Sequence, residues 1–363
     1  MSRPPDAGAT PPRPGGAIRV LVVDDSPSVR AVLRRFFSWT EDIRVVGEAA
    51  DGAAAVAAAL ELAPEVVLMD LVMPGVDGYR AIEEIMRRAP TPILVLSSRA
   101  VRDGVRTAFE ALRRGAVEVL PKPEDPESWR HLAVVLPRMV REIARRPAGG
   151  APRPPAPPRP GRAGPAPPAA RDLRWLAIGA STGGPGAVRE LLAALPARPP
   201  VTTLVVQHIA PGFEEGLADW LSADLGLDVA LAGDGEAPSP GVVRLAPPGA
   251  HLQLAAGGRL RLDRETPPSA RGHRPSVDEL FASCARCCPE RVAAVLLTGM
   301  GDDGVEGMLA LAAGGALTLV QDEASSVVYG MPRAAWARGA ATRALPPAEI
   351  AREVARCWEG AGR

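Results

Sequence analysis

Apolar residues along this chain fall into short, nearly continuous runs, separated by longer stretches where they return every three or four positions. Residues 18–23 form the first run, which ends in Asp24 and Asp25. Ser26 is placed to cap a helix with Pro27 at its first position. Val29, Val32, Leu33 and Phe36 then follow at helical spacing. Runs over 66–69, 93–96 and 117–120 predict further strands. Continuous apolar strands divided by helices imply a parallel sheet covered on both faces, so the fold class is α/β.

A second segment repeats this grammar. Runs over 175–178, 203–206, 293–297 and 316–320 predict buried parallel strands, and helices are expected over 185–195, 213–225, 277–287 and 304–313. Between them, 242–245, 252–254 and 260–262 read as short antiparallel strands, with Gly257-Gly258 as a hairpin turn. A doubly wound, mostly parallel sheet with an antiparallel hairpin is expected. Ser276 and Glu279 read as a capping box at the start of the 277–287 helix.

Composition separates the two segments. Residues 148–170 are almost entirely Pro, Ala, Gly and Arg, which cannot bury a core and should form an extended, semi-stiff linker. Residues 1–17 are rich in Pro, Gly and Arg and lack the apolar core of a secretory signal, so they read as a disordered tail. Lys+Arg and Asp+Glu are each 42, and aromatics are 4%, which argues against nucleic-acid and membrane-surface partners. No apolar run approaches the roughly 18 residues of a spanning helix, so no membrane insertion and a cytoplasmic location are expected. Cys284, Cys287 and Cys288 lie at i, i+3 and i+4 of a predicted helix with no second metal-binding pair, and read as reduced thiols on one helix face.

In the first segment, Asp24, Asp25 and Asp70 stand at strand ends beside the expected switch point of a doubly wound sheet. Three gathered carboxylates repel one another unless a hard cation neutralises them, and Mg²⁺ suits such an oxygen set. Ser97 and Lys122 end the following strands, where a hydroxyl and an ammonium can hold phosphoryl oxygens on Asp70. Any one of these residues is an ordinary strand terminator, but five at successive strand ends form a pattern. VLVVDDSPSVR, VVLMDLVMPGVDG, ILVLSS and LPKP resemble the response-regulator receiver family over about 18–136. The resemblance implies a flavodoxin-like five-stranded parallel sheet. It also implies phosphorylation of Asp70 by a partner histidine kinase, with Mg²⁺ held by Asp24, Asp25 and Asp70. Many receivers carry an aromatic residue three positions before the lysine, and here that position is Val119.

In the second segment, Gly179-Ala180-Ser181-Thr182-Gly183-Gly184-Pro185 follows a strand and opens a helix. Small residues allow a sharp turn that exposes the Ser181 hydroxyl near a helix N-terminus. The turn lacks the endings of a P-loop and of a dinucleotide site. Serine needs a base, and His208 ends the next predicted strand, whereas His131, His251 and His273 lie in a helix, a hairpin and a loop. Asp302 and Asp303 follow a third strand in a Gly-rich turn, where one can orient the base and the other simply cap a helix. The order Ser, His, Asp differs from that of the α/β-hydrolases.

These motifs resemble the catalytic domain of the CheB family, the chemotaxis protein-glutamate methylesterases and glutaminases. GASTGGP, VVQHIAPGF, APPGAHL, GHRPSVDELF, LTGMGDDG and QDEASSVVYGMP stand in the family's order over about 175–358. The resemblance implies Ser181 as nucleophile, His208 as base and Asp303 as orienting acid, with Asp302 at a variable position. It further implies the Met300 N–H as an oxyanion donor, Thr182 as support, and no cofactor for the esterase. Methylated chemoreceptors are the implied substrates, and an unphosphorylated receiver is expected to restrain the esterase. The expected organisation is a tail (1–17), a receiver domain (18–143), a Pro-rich linker (144–172) and a methylesterase domain (173–363). The rival readings are a receiver joined to a catalytically idle binding domain, and an esterase or protease with unrelated substrates.

Overall fold

The computed structural model describes residues 16–75, 77–97, 102–145, 172–269 and 272–359, with backbone alone at 97, 102–107 and 359. Most of the expected tail and linker lies outside the described residues. The chain divides into two compact units, residues 1–151 and 152–363.

The first apolar run becomes β1 (Ile18–Val23), with Val20, Leu21 and Val22 fully buried. α1 (Pro27–Ser38) starts where the Ser26 side chain accepts the Val29 N–H. It is followed by β2 (Ile43–Ala49), α2 (Gly52–Leu62), β3 (Val66–Asp70), α3 (Gly78–Arg88), β4 (Ile93–Ser97), α4 (Arg102–Arg113), β5 (Glu118–Pro121) and α5 (Pro126–Ala144). The five strands are parallel in the order β2-β1-β3-β4-β5. The chain leaves β1 toward β2 and returns to β3 on the other side, which opens a crevice at the carboxyl ends of β1 and β3.

The second unit runs β6 (Trp175–Ala180), α6 (Gly184–Ala193), β7 (Thr202–Gln207), α7 (Glu214–Leu225), β8 (Val229–Leu231), β9 (Val243–Leu245), β10 (His251–Ala255) and β11 (Arg259–Asp263). It continues with α8 (Val277–Cys287), β12 (Val292–Leu296), α9 (Val305–Ala313), β13 (Leu317–Gln321), α10 (Met331–Ala337), β14 (Arg343–Leu345) and α11 (Pro347–Glu359). Seven strands form one parallel sheet in the order β14-β13-β12-β6-β7-β9-β8. β10 and β11 pair antiparallel as the expected hairpin. The expectation for 242–245 was wrong: β9 joins the main sheet parallel to β7 and β8. A three-residue strand has too little pattern to reveal its direction.

β6, β7 and β12 are the sheet's centre, and nearly all their residues are buried. α8 covers them with Val277, Leu280, Phe281 and Cys284, packed with Met308 and Leu311 of α9. Each such side chain contributes about 1.5–3 kcal/mol by leaving water. The Cys284, Cys287 and Cys288 thiols make no disulfide, with Cys284 buried and the others half-buried. The core thus fixes three strand ends side by side.

Candidate active site

Ser181 and His208 directly follow neighbouring strands, β6 and β7. The His208 N–H donates to Ala180 O at 2.9 Å, extending the ladder to the edge of the sheet. The Gln207 amide clamps the two ends, its Nε2 donating to Ser181 O at 2.8 Å and to His208 O at 2.9 Å. Strand β12, on the other side of β6, leads through Thr298 to Asp303. The Ser181 N–H donates to Thr298 O at 3.0 Å, and the Thr298 hydroxyl donates to the carbonyl of Thr182 at 2.8 Å. Thr182 is buried within the serine turn. Gly299 must lack a side chain, because a Cβ there would lie 2.6 Å from Ser181 Cβ. Met300 therefore follows a backbone pressed directly against the serine.

Asp303 is 4% exposed and accepts four hydrogen bonds. Its Oδ2 accepts from His208 Nε2 at 2.8 Å and from the Val277 N–H at 2.8 Å. Its Oδ1 accepts from the Ser276 hydroxyl at 2.7 Å and from the Asp278 N–H at 3.1 Å. Burial alone would raise this carboxyl's pKa. The bond and charge of His208, then the Val277 amide and the Ser276 hydroxyl, outweigh burial and hold it well below the usual carboxylate range. Asp302, by contrast, is exposed.

The capping box does not form. Ser276 is the N-cap of α8, but its hydroxyl bonds Asp303 and makes no cap hydrogen bond. Glu279 instead accepts from Gln253 Nε2 at 3.2 Å. Asp303, far off in sequence, supplies the anion at the helix N-terminus, which an ionised carboxylate fills better than a neutral hydroxyl.

In its neutral form the His208 ring carries its proton on Nε2, which faces an anionic acceptor, and leaves Nδ1 as an acceptor. Nδ1 is buried and makes no hydrogen bond with any described group, so Ser181 Oγ is not bonded to it in this side-chain geometry. His273 stacks on His208, with ring centroids 3.9 Å apart and planes 10° from parallel. His273 read from sequence as a loop residue, and no periodicity marks a residue that meets its partner 65 positions away. Fully buried His251 accepts the Ser276 N–H at Nδ1, 3.2 Å, and donates from Nε2 to Pro267 O, 3.2 Å. Arg274 donates to the carbonyls of Arg264 and Thr266.

In the first unit, oxygens of Asp24, Asp25 and Asp70 lie within 4.8 Å of one another. Asp24 and Asp70 are buried and Asp25 is exposed. Lys122 Nζ bridges Asp24 Oδ2 at 2.8 Å and Asp70 Oδ2 at 2.6 Å. Burial raises the Asp70 pKa, Lys122 opposes the rise, and the Asp24 charge adds to it. Among the described residues this is the only carboxylate, thiol and imidazole cluster compact enough to share one ion. Its all-oxygen donor set fits Mg²⁺. Val119 is buried in β5. The Ser97 side chain lies outside the described residues.

Known proteins share both units. A family model described as "CheB methylesterase" matches residues 176–354, and one described as "Response regulator receiver domain" matches residues 20–133. The chain is 38% identical to a Methanospirillum hungatei protein named protein-glutamate methylesterase/protein-glutamine glutaminase 2, covering 92% of this chain and 97% of that one. It is 43% identical to an Anaeromyxobacter dehalogenans protein named protein-glutamate methylesterase/protein-glutamine glutaminase 4, covering 98% and 99%. The crystal structure of the Thermotoga maritima CheB methylesterase catalytic domain matches with 35% identity and a TM-score of 0.48, covering 51% of this chain and 98% of that one. Among the described residues, no helix is long and apolar enough to cross a membrane.

Proposed function

The chain belongs to the CheB methylesterase family, with a receiver domain ahead of the esterase domain, and from that premise we propose that it hydrolyses glutamyl methyl esters and glutamine amides on chemoreceptors. We read 18–143 as the receiver, 144–172 as the tether and 173–363 as the esterase. The observation that carries the reading is the 2.8 Å His208–Asp303 pair beside the Ser181 turn, with His208 Nδ1 left as an acceptor.

Ser181 Oγ attacks the γ-carbonyl carbon as its proton passes to His208 Nδ1. Rotation about the Ser181 Cα–Cβ bond supplies the missing contact, since catalytic hydrogen bonds often tighten only when substrate is bound. Asp303 stabilises the imidazolium and keeps the Nε2 proton toward itself. The carbonyl oxygen turns toward the Met300 N–H as it gains charge, and Thr182 anchors the serine turn. The C–O bond to methoxide breaks, His208 returns the proton, and methanol leaves. Water then gives a proton to His208 as its oxygen attacks the acyl carbon, the bond from that carbon to Ser181 Oγ breaks, and His208 returns the proton to Oγ, releasing glutamate and restoring Ser181. With a glutamine side chain, ammonia leaves in place of methanol.

In the receiver, Asp24, Asp25 and Asp70 would hold Mg²⁺, which supplies the positive charge that phosphoryl transfer needs. Asp70 accepts the phosphoryl group from a histidine kinase, and Lys122 binds a phosphoryl oxygen in place of a carboxylate oxygen. Ser97 contributes its hydroxyl to the same group. Phosphorylation thereby relieves a restraint on the esterase, so that receptor demethylation serves sensory adaptation.

The test is release of labelled methanol from methylated receptor membranes, and of ammonia from receptors carrying glutamine. The full chain should release both. Binding to receptors without release of either product would favour the catalytically idle module.

A further inference from the structure

Asp278 takes no part in that chemistry, yet it is tied to Asp303 from two directions. As the second residue of α8, it donates its N–H to Asp303 Oδ1 at 3.1 Å. Its own Oδ1 accepts the Gly307 N–H at 2.8 Å, in the first turn of α9. Asp303 immediately precedes Gly304, the N-cap of α9. The two helix N-termini are therefore capped crosswise, each by an aspartate belonging to the other. Each aspartate satisfies amides that have no partner within their own helix. The crossing is close enough to require a glycine: a Cβ on Gly307 would lie 2.6 Å from Phe281 Cβ and 2.8 Å from Asp278 O.

This arrangement is unfavourable electrostatically. Burial, and then the Asp303 charge, raise the Asp278 pKa against the α9 amides that lower it. A carboxylate set beside another carboxylate is a poor choice for stability alone. What it provides is a fixed distance between the α8 amides and the Asp303–Gly304 turn. Without the Asp278 acceptor the Gly307 N–H loses its partner, and the turn is free to lift from α8. The Asp303 carboxylate would then withdraw from His208.

We infer that Asp278 is a positioning residue for Asp303, locking the N-termini of α8 and α9 together so that the acid is held against the His208 ring. The inference rests on Asp303 being the orienting acid of the esterase.

The experiment measures kcat and KM for methanol release by the full chain and by Asp278→Ala, Asp278→Asn, Ser181→Ala and Asp303→Asn. Functional sites are counted by exhaustive labelling with a fluorophosphonate, and folding is followed by thermal melting. A displacement of about 1 Å at a catalytic group lowers the rate by about 10²-fold, so Asp278→Ala should lose about 10- to 100-fold in kcat per labelled site, with KM changed less than about threefold. Asp278→Asn keeps the acceptor for Gly307 and should stay within about threefold of the parent. If Asp278→Ala does not fold, Asp278→Ser, whose hydroxyl is shorter than the carboxylate, takes its place with the same expectation. A parental kcat per site in Asp278→Ala or its Ser substitute, even with a lowered melting temperature, overturns the inference. So does an Asn variant as slow as the truncated one. If Ser181→Ala or Asp303→Asn retains parental activity, the assignment of nucleophile or acid on which the inference rests falls instead.

Discussion

Asp302 and Asp303 are adjacent in sequence and opposite in situation. One is exposed; the other is buried and accepts four hydrogen bonds. An amide at position 303 must turn its NH₂ toward donors on at least one side, because every partner of the carboxylate donates. Asp303→Asn should lower demethylation by about 10³-fold or more, whereas Asp302→Asn should stay within about threefold. Parallel assays of the two folded variants check this, and the reverse ranking would identify the other carboxylate as the acid. Ser181 and His208 were legible because each follows an apolar strand run, and the aspartate pair because it lies in the Gly-rich turn after a third such run, which are local signs. Local pattern did not choose between the two aspartates; resemblance favoured Asp303, and burial now separates them. His251, His273 and Asp278 left no local sign, because their partners are brought together only by the sheet order and the α8–α9 crossing.

At the scale of elements, the start of α8 was legible and its cap was not. Ser276 does stand at the N-cap, but the acceptor for the α8 amides comes from the turn before α9. The long buried strands were legible from their apolar runs, whereas β8, β9 and β14 span only three residues each, too few to carry a period. The crosswise caps have a measurable consequence for pH. The Asp278 pKa is pushed from 3.8 up to about 6, so between these values the folded state keeps a proton that the unfolded chain has released. Stability therefore falls as pH rises from about 4 to about 6 and stays reduced above. Asp278→Asn removes this loss, and at pH 7.5 should be more stable by about 1–2 kcal/mol once solvent screening of the half-buried group is allowed for. Denaturant unfolding at both pH values checks it: the gain should vanish near pH 4. Gly307→Ala should act oppositely, costing about 1–3 kcal/mol by forcing α9 away from α8, and should slow demethylation as well.

At the scale of the whole molecule, two complete units share a chain joined by a segment too rich in Pro and Gly to form a core. A tether of that kind keeps the receiver at high effective concentration near the esterase. A bias of a few kcal/mol between restrained and released states is then enough for a switch. A fragment of residues 171–363 should be faster than the unphosphorylated full chain. A small-molecule phosphoryl donor with Mg²⁺ should accelerate the full chain but not Asp70→Asn. Val119 occupies the place of the usual aromatic switch residue and is buried, so a phosphorylation signal from Asp70 would have to leave by another route. Unchanged initial rates after both truncation and phosphorylation would assign the receiver a docking role instead.

The expected changes in demethylation all depend on the serine. The most direct measurement is the initial rate of methanol release from methylated receptor membranes by purified, folded Ser181→Ala and His208→Ala, each beside the parent chain. Each variant should be slower by about 10⁴-fold or more, because each removes one partner of a single proton transfer. A rate near that of the parent in folded Ser181→Ala would contradict the account at its centre.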